Sequence, residues 1–263
     1  MAGEEAIAEA ARRLAEAADT GVPCPPVRDL LGAGDVAAAY AVQELGTRRR
    51  LDAGHRLVGR KIGLTAKAVQ VQLGVDQPDY GMLFADMDVP DGEDIPAARV
   101  LQPKVEAEIA FVLGDDLDGE QLTTADVLRA VDFAVAAIEI VGSRIANWDI
   151  RIADTVADNA SSGLFVLGQS PRLLGEFDLR MCGMKLERRG ELVSNGAGLA
   201  CMGSPINATL WLARTMVAAG RPLRAGDVVL SGALGPMVPA APGDVFEATI
   251  EGLGSVRAAF AAA

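Results

Sequence analysis

A chain of 263 residues, half hydrophobic and only 4 % aromatic, has the length for one large core or two small ones. Its 36 acidic against 24 basic side chains leave a net charge of −12, which argues against nucleic acid or an anionic membrane as partner, since both demand basic patches. A single histidine, His55, and three cysteines without a CxxC spacing argue against His-based zinc sites, Ser-His-Asp triads and a disulfide framework. His55, in a loop flanked by Gly and Arg, reads as a surface residue, and Cys24, Cys182 and Cys201 as small buried side chains.

The acidic start Met1-Ala2-Gly3-Glu4-Glu5 does not resemble an export signal. The apolar run over 131–141 is broken by Asp132 and Glu139 and is too short to span a bilayer, so the expected compartment is the cytoplasm. Residues 4–18 read as an amphipathic helix with Ile7, Ala10, Ala11, Leu14 and Ala18 on one face. Thr20 to Pro26 is a proline-stiffened connection, and a second helix starts at Asp35 as N-cap and ends at the Arg48-Arg49-Arg50 cluster. Residues 1–55 therefore form an expected helical layer packed on a core domain of 56–263.

From residue 57 onward short strands alternate with glycine. The spacing predicts a strand over 58–65, a short helix over 67–73, a polar loop over 75–81 and a brief strand over 82–86. Residues 114–119 form an acidic turn that lacks EF-hand spacing and reads as solvated. Thr123 with Asp126 opens a helix expected to reach about residue 135, followed by a buried strand over 137–141. The polar run 154–163 lines a pocket or forms a turn. Ser204-Pro205 starts a helix that Gly220 and Pro222 close, and strands are expected over 228–231, 245–250 and 255–260.

The segment from Gln102 to Leu113 carries the chemistry. Its period-two pattern sends Glu106 and Glu108 to one side and Val105, Ala107, Ile109 and Phe111 to the other. On a strand those carboxylates stand roughly 6.6 Å apart, a repulsion of about 2–3 kcal/mol at an effective dielectric near 20. The same side continues with Ala110 and Val112, so this face either becomes buried, and then needs a cation, or stays wet in its first half. Glu139 sits alone in an apolar run, where an ionised carboxylate is costly unless it ligates a cation or pairs, for instance with Arg144. Three carboxylates without His or Cys favour a hard divalent ion such as Mg²⁺, with positions left open for the carboxylate and 2-oxo oxygens of a substrate.

Several segments then become recognisable: 59–65 (Gly-Arg-Lys-Ile-Gly-Leu-Thr), 74–81, 103–109 (Pro-Lys-Val-Glu-Ala-Glu-Ile), 139–144, 155–163, 231–238 and 252–256. Together they resemble the 2-keto-4-pentenoate (2-hydroxypenta-2,4-dienoate) hydratases of the fumarylacetoacetate hydrolase superfamily, across nearly the whole chain. The resemblance implies an α+β fold with a mixed β-roll core, and a homo-oligomer, pentameric or decameric. It also implies Mg²⁺ or Mn²⁺ held by Glu106, Glu108 and Glu139. The implied activity is hydration of a 2-hydroxydienoic acid to 4-hydroxy-2-oxopentanoate in meta-cleavage degradation of aromatic compounds, next to a downstream aldolase that could associate with it. Lys61 and Asp79 are the expected catalytic residues, although on sequence alone the first reads as a surface lysine and the second as a turn. Leu64, Asn159 and Ser161 are expected at the substrate. Gly203-Ser204-Pro205 departs from the Gly-His-Pro of relatives. Two other readings remain: a 4-oxalocrotonate-type decarboxylase of the same superfamily, and a catalytically silent partner subunit.

Overall fold

In the computed structural model, which describes residues 2–66, 70 and 77–262, three N-terminal helices lie against a strand-rich body. Helix α1 (Glu4–Thr20) buries Ala10, Leu14 and Ala17 and ends at Gly21, whose left-handed backbone lets its N–H reach Ala17 O. A short helix α2 (Arg28–Leu31), not expected from the sequence, follows the proline stretch. Helix α3 (Val36–Asp52) is capped by Asp35, which accepts from the Ala38 N–H, and carries Arg49 and Arg50 in its last turn. These helices share a separate apolar cluster with α5 (Ile152–Ala157): Leu14, Val27, Leu31, Val42, Ile152 and Val156 pack together.

The body holds two sheets. The first is ordered β2 (Asp79–Phe84), β1 (Leu57–Gly63), β9 (Val228–Leu230), β4 (Lys104–Leu113), β5 (Val131–Val141), β6 (Ser162–Leu167), with β10 (Val238–Pro239) on the start of β4. It is mixed, β1 and β9 running parallel and the other neighbours antiparallel, and it curls until β2 and β6 meet. The second is ordered β3 (Asp94–Ile95), β12 (Gly254–Phe260), β11 (Val245–Ile250), β7 (Gly183–Arg188), β8 (Glu191–Ala197). Strands β11 and β12 pack on β5, and the large buried side chains Phe111, Phe165, Phe246, Ile109 and Ile138 fill the main core. Helices α4 (Thr124–Ala130) and α6 (Pro205–Ala218) pack together at the periphery, α6 capped by Ser204 with proline at its first turn.

Several expectations change. The helix opened by Thr123 stops at Ala130, and Val131 already belongs to β5, so the strand is longer than 137–141. Asp79 to Gly81 lie in β2 rather than in a loop, because β2 pairs with β1 from Gly63↔Asp79 onward. Residues 152–157 are helical, and 183–197 form a hairpin that the sequence did not announce. The helix expected over 67–73 lies outside the described residues but for Gln70. The acidic turn at 114–119 is a solvated ion-pair site: Arg224 bridges Asp116 and Asp118 at 2.6 and 2.9 Å. His55 is on the surface, and all three cysteines are free and buried.

Candidate metal centre and active site

Alternation along β4 puts Glu106 and Glu108 on one face, and the antiparallel register with β5 places Glu139 directly across from Glu106. One oxygen from each of the three carboxylates falls within 4.8 Å of the others. Glu108 and Glu139 are each 1 % exposed, while Glu106 is half-buried. Through the β1–β9–β4 pairing, Lys61 aligns with Leu230 and Ala110, which turns its side chain to the same face. It is 3 % exposed, and its Nζ lies 3.1 Å from Glu139 Oε2. Asp79 joins from β2 opposite Gly63, where a Cβ would fall 2.1 Å from Asp79 Oδ1 and 3.5 Å from Lys61 Nζ. Gly63 is the space in which the Asp79 carboxyl sits.

The electrostatics follow from this crowding. Burial raises Glu106, Glu108 and Glu139 above the ordinary carboxylate range. Glu108 rises furthest, because Glu139 and Glu106 add like-charge repulsion. Glu139 reaches about 7, the pull of Lys61 being insufficient to offset burial. Asp79 is raised by burial against the pull of Lys61. Burial disfavours the Lys61 ammonium, yet Glu139, Asp79, Glu106 and Glu108 outweigh it and hold its pKa above the ordinary lysine value. At a separation of 4.8 Å each unscreened carboxylate pair costs about 3–4 kcal/mol at an effective dielectric of 20. Neither Glu139 oxygen receives a well-directed hydrogen bond among the described residues, and Asp79 Oδ1 has no partner there. An all-oxygen donor set with idle lone pairs and excess negative charge fits a hard divalent cation, which Glu106, Glu108 and Glu139 could hold.

Glu108 Oε2 does accept one bond, from the Gly232 N–H at 2.9 Å. Gly232 has φ +110, and a Cβ there would fall 2.4 Å from Thr65 Cγ2. The two glycine-bearing motifs around Thr65 and Gly232 thus close on each other at the carboxylates, a role that sequence reading missed; only the isolated Ser-Gly after β9 hinted at it.

The other expected residues are placed less directly. Leu64 follows β1 with φ 57, and its carbonyl accepts from Gln70 Nε2. Asn159 spends its amide on β2: Oδ1 accepts from Met82 N–H at 2.7 Å, and Nδ2 donates to Met82 O at 2.9 Å. Ser161 Oγ lies 3.2 Å from Thr155 Oγ1. Asn159, Ala160 and Ser161 all have positive φ, so this turn is strained and held by its surroundings. Arg144 does not pair with Glu139. Its guanidinium binds Asp158 and the Ser162 carbonyl and so anchors that turn. A cavity of about 400 Å³ opens behind the turn, between the helical layer and β2; Arg50, Phe84, Arg99 and Asp158 line it, but none of the glutamates does.

The family model for the fumarylacetoacetate (FAA) hydrolase C-terminal region matches residues 56–261. A "TodF product hydratase" of Pseudomonas putida is 68 % identical over 258 residues, covering 98 % of this chain and 96 % of its own. A "2-keto-4-pentenoate hydratase 1" of Dechloromonas aromatica is 60 % identical over 254 residues, covering 96 % and 97 %. Among solved structures, 4-oxalocrotonate decarboxylase from Pseudomonas putida G7, complexed with magnesium and adipate, superposes with a TM-score of 0.94 at 35 % identity, covering 99 % of both chains. Fumarylpyruvate hydrolase from Pseudomonas aeruginosa, at 16 % identity and a TM-score of 0.64 over 79 % of this chain and 90 % of its own, shares the fold. The chain belongs to the fumarylacetoacetate hydrolase family and, within it, to the 2-keto-4-pentenoate hydratases.

Proposed function

We propose that this protein is a divalent-metal-dependent hydratase that converts 2-hydroxypenta-2,4-dienoate to 4-hydroxy-2-oxopentanoate in the meta-cleavage breakdown of aromatic compounds. The observation that carries the metal-dependent chemistry is the trio of half-buried Glu106 and sealed Glu108 and Glu139, facing the Lys61 ammonium. Relatives at 54–68 % identity bearing hydratase names support addition of water over loss of CO₂. The decarboxylase neighbour stands at 35 %.

In this reading the three glutamates hold Mg²⁺ or Mn²⁺, which, when bound, supplies Lewis acidity to a chelating 2-oxo acid. Solved neighbours complexed with magnesium, calcium or Mn²⁺ support a divalent ion. Lys61 offers a fixed positive charge to the 2-oxygen, where negative charge gathers during both steps. Asp79 beside it acts as the proton carrier: it gives a proton to C5 while the 2-hydroxyl proton leaves to solvent, and the dienol becomes the conjugated 2-oxo acid. Water then forms its C–O bond at C4 while one of its protons returns to the Asp79 carboxylate, and C3 takes up a proton from solvent, matching the one the 2-hydroxyl released, to give the product. Ser161 and the backbone around Leu64 border the substrate, and Asn159 contributes by bracing β2 through Met82. The homo-oligomeric part of the reading rests on the family resemblance. No helix among the described residues is long and apolar enough to cross a membrane.

The test feeds the purified protein 2-hydroxypenta-2,4-dienoate and, separately, the six-carbon diacid 4-oxalocrotonate, following loss of diene absorbance and release of CO₂ with and without EDTA. Metal-dependent loss of the diene without CO₂ is expected. Stoichiometric CO₂ from the diacid, with the five-carbon acid left unhydrated, would make the protein a decarboxylase instead.

A further inference from the structure

Lys104 stands on the same face of β4 as Glu106 and Glu108, two and four residues before them. Burial deepens along that row: Lys104 and Glu106 are half-buried and Glu108 is sealed, so Lys104 marks the open end of the site. Its Nζ lies 4.0 Å over the ring centroid of Trp148, within cation–π range. Among the described residues that ammonium makes neither a hydrogen bond nor an ion pair, so its three N–H donors are uncommitted.

The fold holds Trp148 in place at some cost. Trp148 and the preceding Asn147 have φ 54 and 60, and Gln102 has φ 52, all in the left-handed region that bulky side chains avoid. Gln102 locks this arrangement with four hydrogen bonds. Its carbonyl accepts from Trp148 Nε1 at 3.0 Å, and its Oε1 from the Asn147 N–H at 2.8 Å. Its Nε2 donates to Ser143 O and Ile145 O at 2.9 and 2.7 Å. None of Gln102, Asn147 and Trp148 is buried, so core packing does not explain the strain. The product of all these contacts is one indole face set under one lysine. Stacking fixes the position of Nζ without consuming its donors.

We propose that Lys104, held over Trp148, is a specificity-determining cation that receives the outer carboxylate oxygen of the 2-oxo acid substrate. The inference rests on the metal reading above: a 2-oxo acid chelated through one carboxylate oxygen and its 2-oxygen leaves the second carboxylate oxygen free. With Lys61 buried at the inner side of the glutamates and Lys104 at the outer side, that oxygen would face Lys104, and the 2-oxygen and diene would face Lys61 and Asp79. Neutral molecules of the same shape would gain nothing at this lip.

The experiment uses the full chain loaded with Mn²⁺. Free Mn²⁺ is counted by electron paramagnetic resonance, and oxalate, a planar dianion that chelates in the same way, serves as the probe. Lys104→Met should weaken oxalate binding and raise KM by about tenfold, with kcat changing by less than about threefold. It should also tighten Mn²⁺ binding by a factor of about two to five, since a like charge is removed. Lys104→Arg should restore most of the oxalate affinity, and Trp148→Leu should lose part of it with the charge retained. A lysine that merely props up the loop would not move the two affinities in opposite directions. Wild-type oxalate affinity in Lys104→Met, or a loss of oxalate that only tracks a loss of Mn²⁺, overturns the proposal. Glu106→Gln is run in parallel: if it keeps Mn²⁺, the metal reading has failed, whatever Lys104 does.

Discussion

Lys61 Nζ and Glu139 Oε2 stand 3.1 Å apart in a site where both side chains are almost fully buried. The ammonium therefore holds a carboxylate that the proposed metal would also need, so in that reading the two cations would compete for Glu139. Lys61→Met should lower kcat by about 10²–10³, the range seen when one preorganised donor to a developing oxyanion is removed. Mn²⁺ affinity should hold or improve, because a competitor for Glu139 is gone. Steady-state rates alongside Mn²⁺ titrations check both; a variant that loses metal and rate together would make Lys61 a structural support.

Metal and pH are linked through the raised carboxyls. Glu139 titrates near 7 and Glu108 well above its ordinary value, against about 4.3 for an unfolded glutamate. Groups raised in the folded state contribute stability that is complete below the unfolded pKa and is lost as pH rises through the folded one. The metal-free protein should therefore lose stability from this cluster as pH climbs from about 4.5 through 7. Divalent ions bind the ionised form, so the increase in Tm produced by Mg²⁺ should grow from pH 5.5 to pH 8. Calorimetry at three pH values measures it, and a metal effect that is largest at pH 5.5 contradicts the ligand set.

Glu108→Gln separates repulsion from ligation. The amide keeps shape and removes one of three crowded charges, so the metal-free variant should melt higher than the wild type at pH 8, by an amount on the order of 1–3 kcal/mol. Metal affinity and turnover should collapse in the same protein. Equal melting temperatures with wild-type turnover would remove Glu108 from the site.

How far all this was legible before the fold was seen depends on the element. The β4 alternation and the lone acid in the β5 run were readable because period two and the cost of burying charge are local arguments. The Ser204-Pro205 helix start was readable for the same reason. The length of β5 was not: the Thr123 capping box fixes where α4 begins, but an Ala/Val run fits helix and strand alike, and only pairing with β4 and β6 decides at Val131. Asp79 looked like a turn residue because Pro78-Asp79 is a turn signal, and the β1 register overrode it. The hairpin turn at Arg189-Gly190, with φ 52 and 85, carries only half of the usual Asn-Gly signal. Arg144 was a plausible partner for Glu139 by proximity in sequence. Its binding to Asp158 depends on α5, which the polar composition of 154–163 concealed.

Arg144 gives a stability prediction of its own. Asp158 is 3 % exposed, and burial raises its pKa against the pull of Arg144, which supplies its ion pair. Arg144→Ala leaves that carboxyl buried without its cation and frees the Ser162 carbonyl, which should cost about 3–5 kcal/mol. Denaturant unfolding reads the loss. Restoration by Asp158→Asn in the same chain would confirm that the stranded charge, and not lost packing, is responsible.

Gly232 tests how firmly the carboxylates must be held. Its N–H is the one hydrogen bond to Glu108 among the described residues, and it reaches there through a φ of +110 that only glycine adopts without strain. Alanine would press on Thr65 and rotate the peptide, withdrawing the N–H from a carboxyl already crowded by Glu106 and Glu139. Losing a bond to a charged acceptor is worth about 1.5–3 kcal/mol, so Gly232→Ala should weaken Mn²⁺ binding by about tenfold or more. The effect must run through Glu108. In a double-mutant cycle, Gly232→Ala should therefore cost almost no further affinity once Glu108→Gln is in place. Additive losses would mean that the substitution distorts the loop at large, and that the Gly232 N–H does not position the ligand.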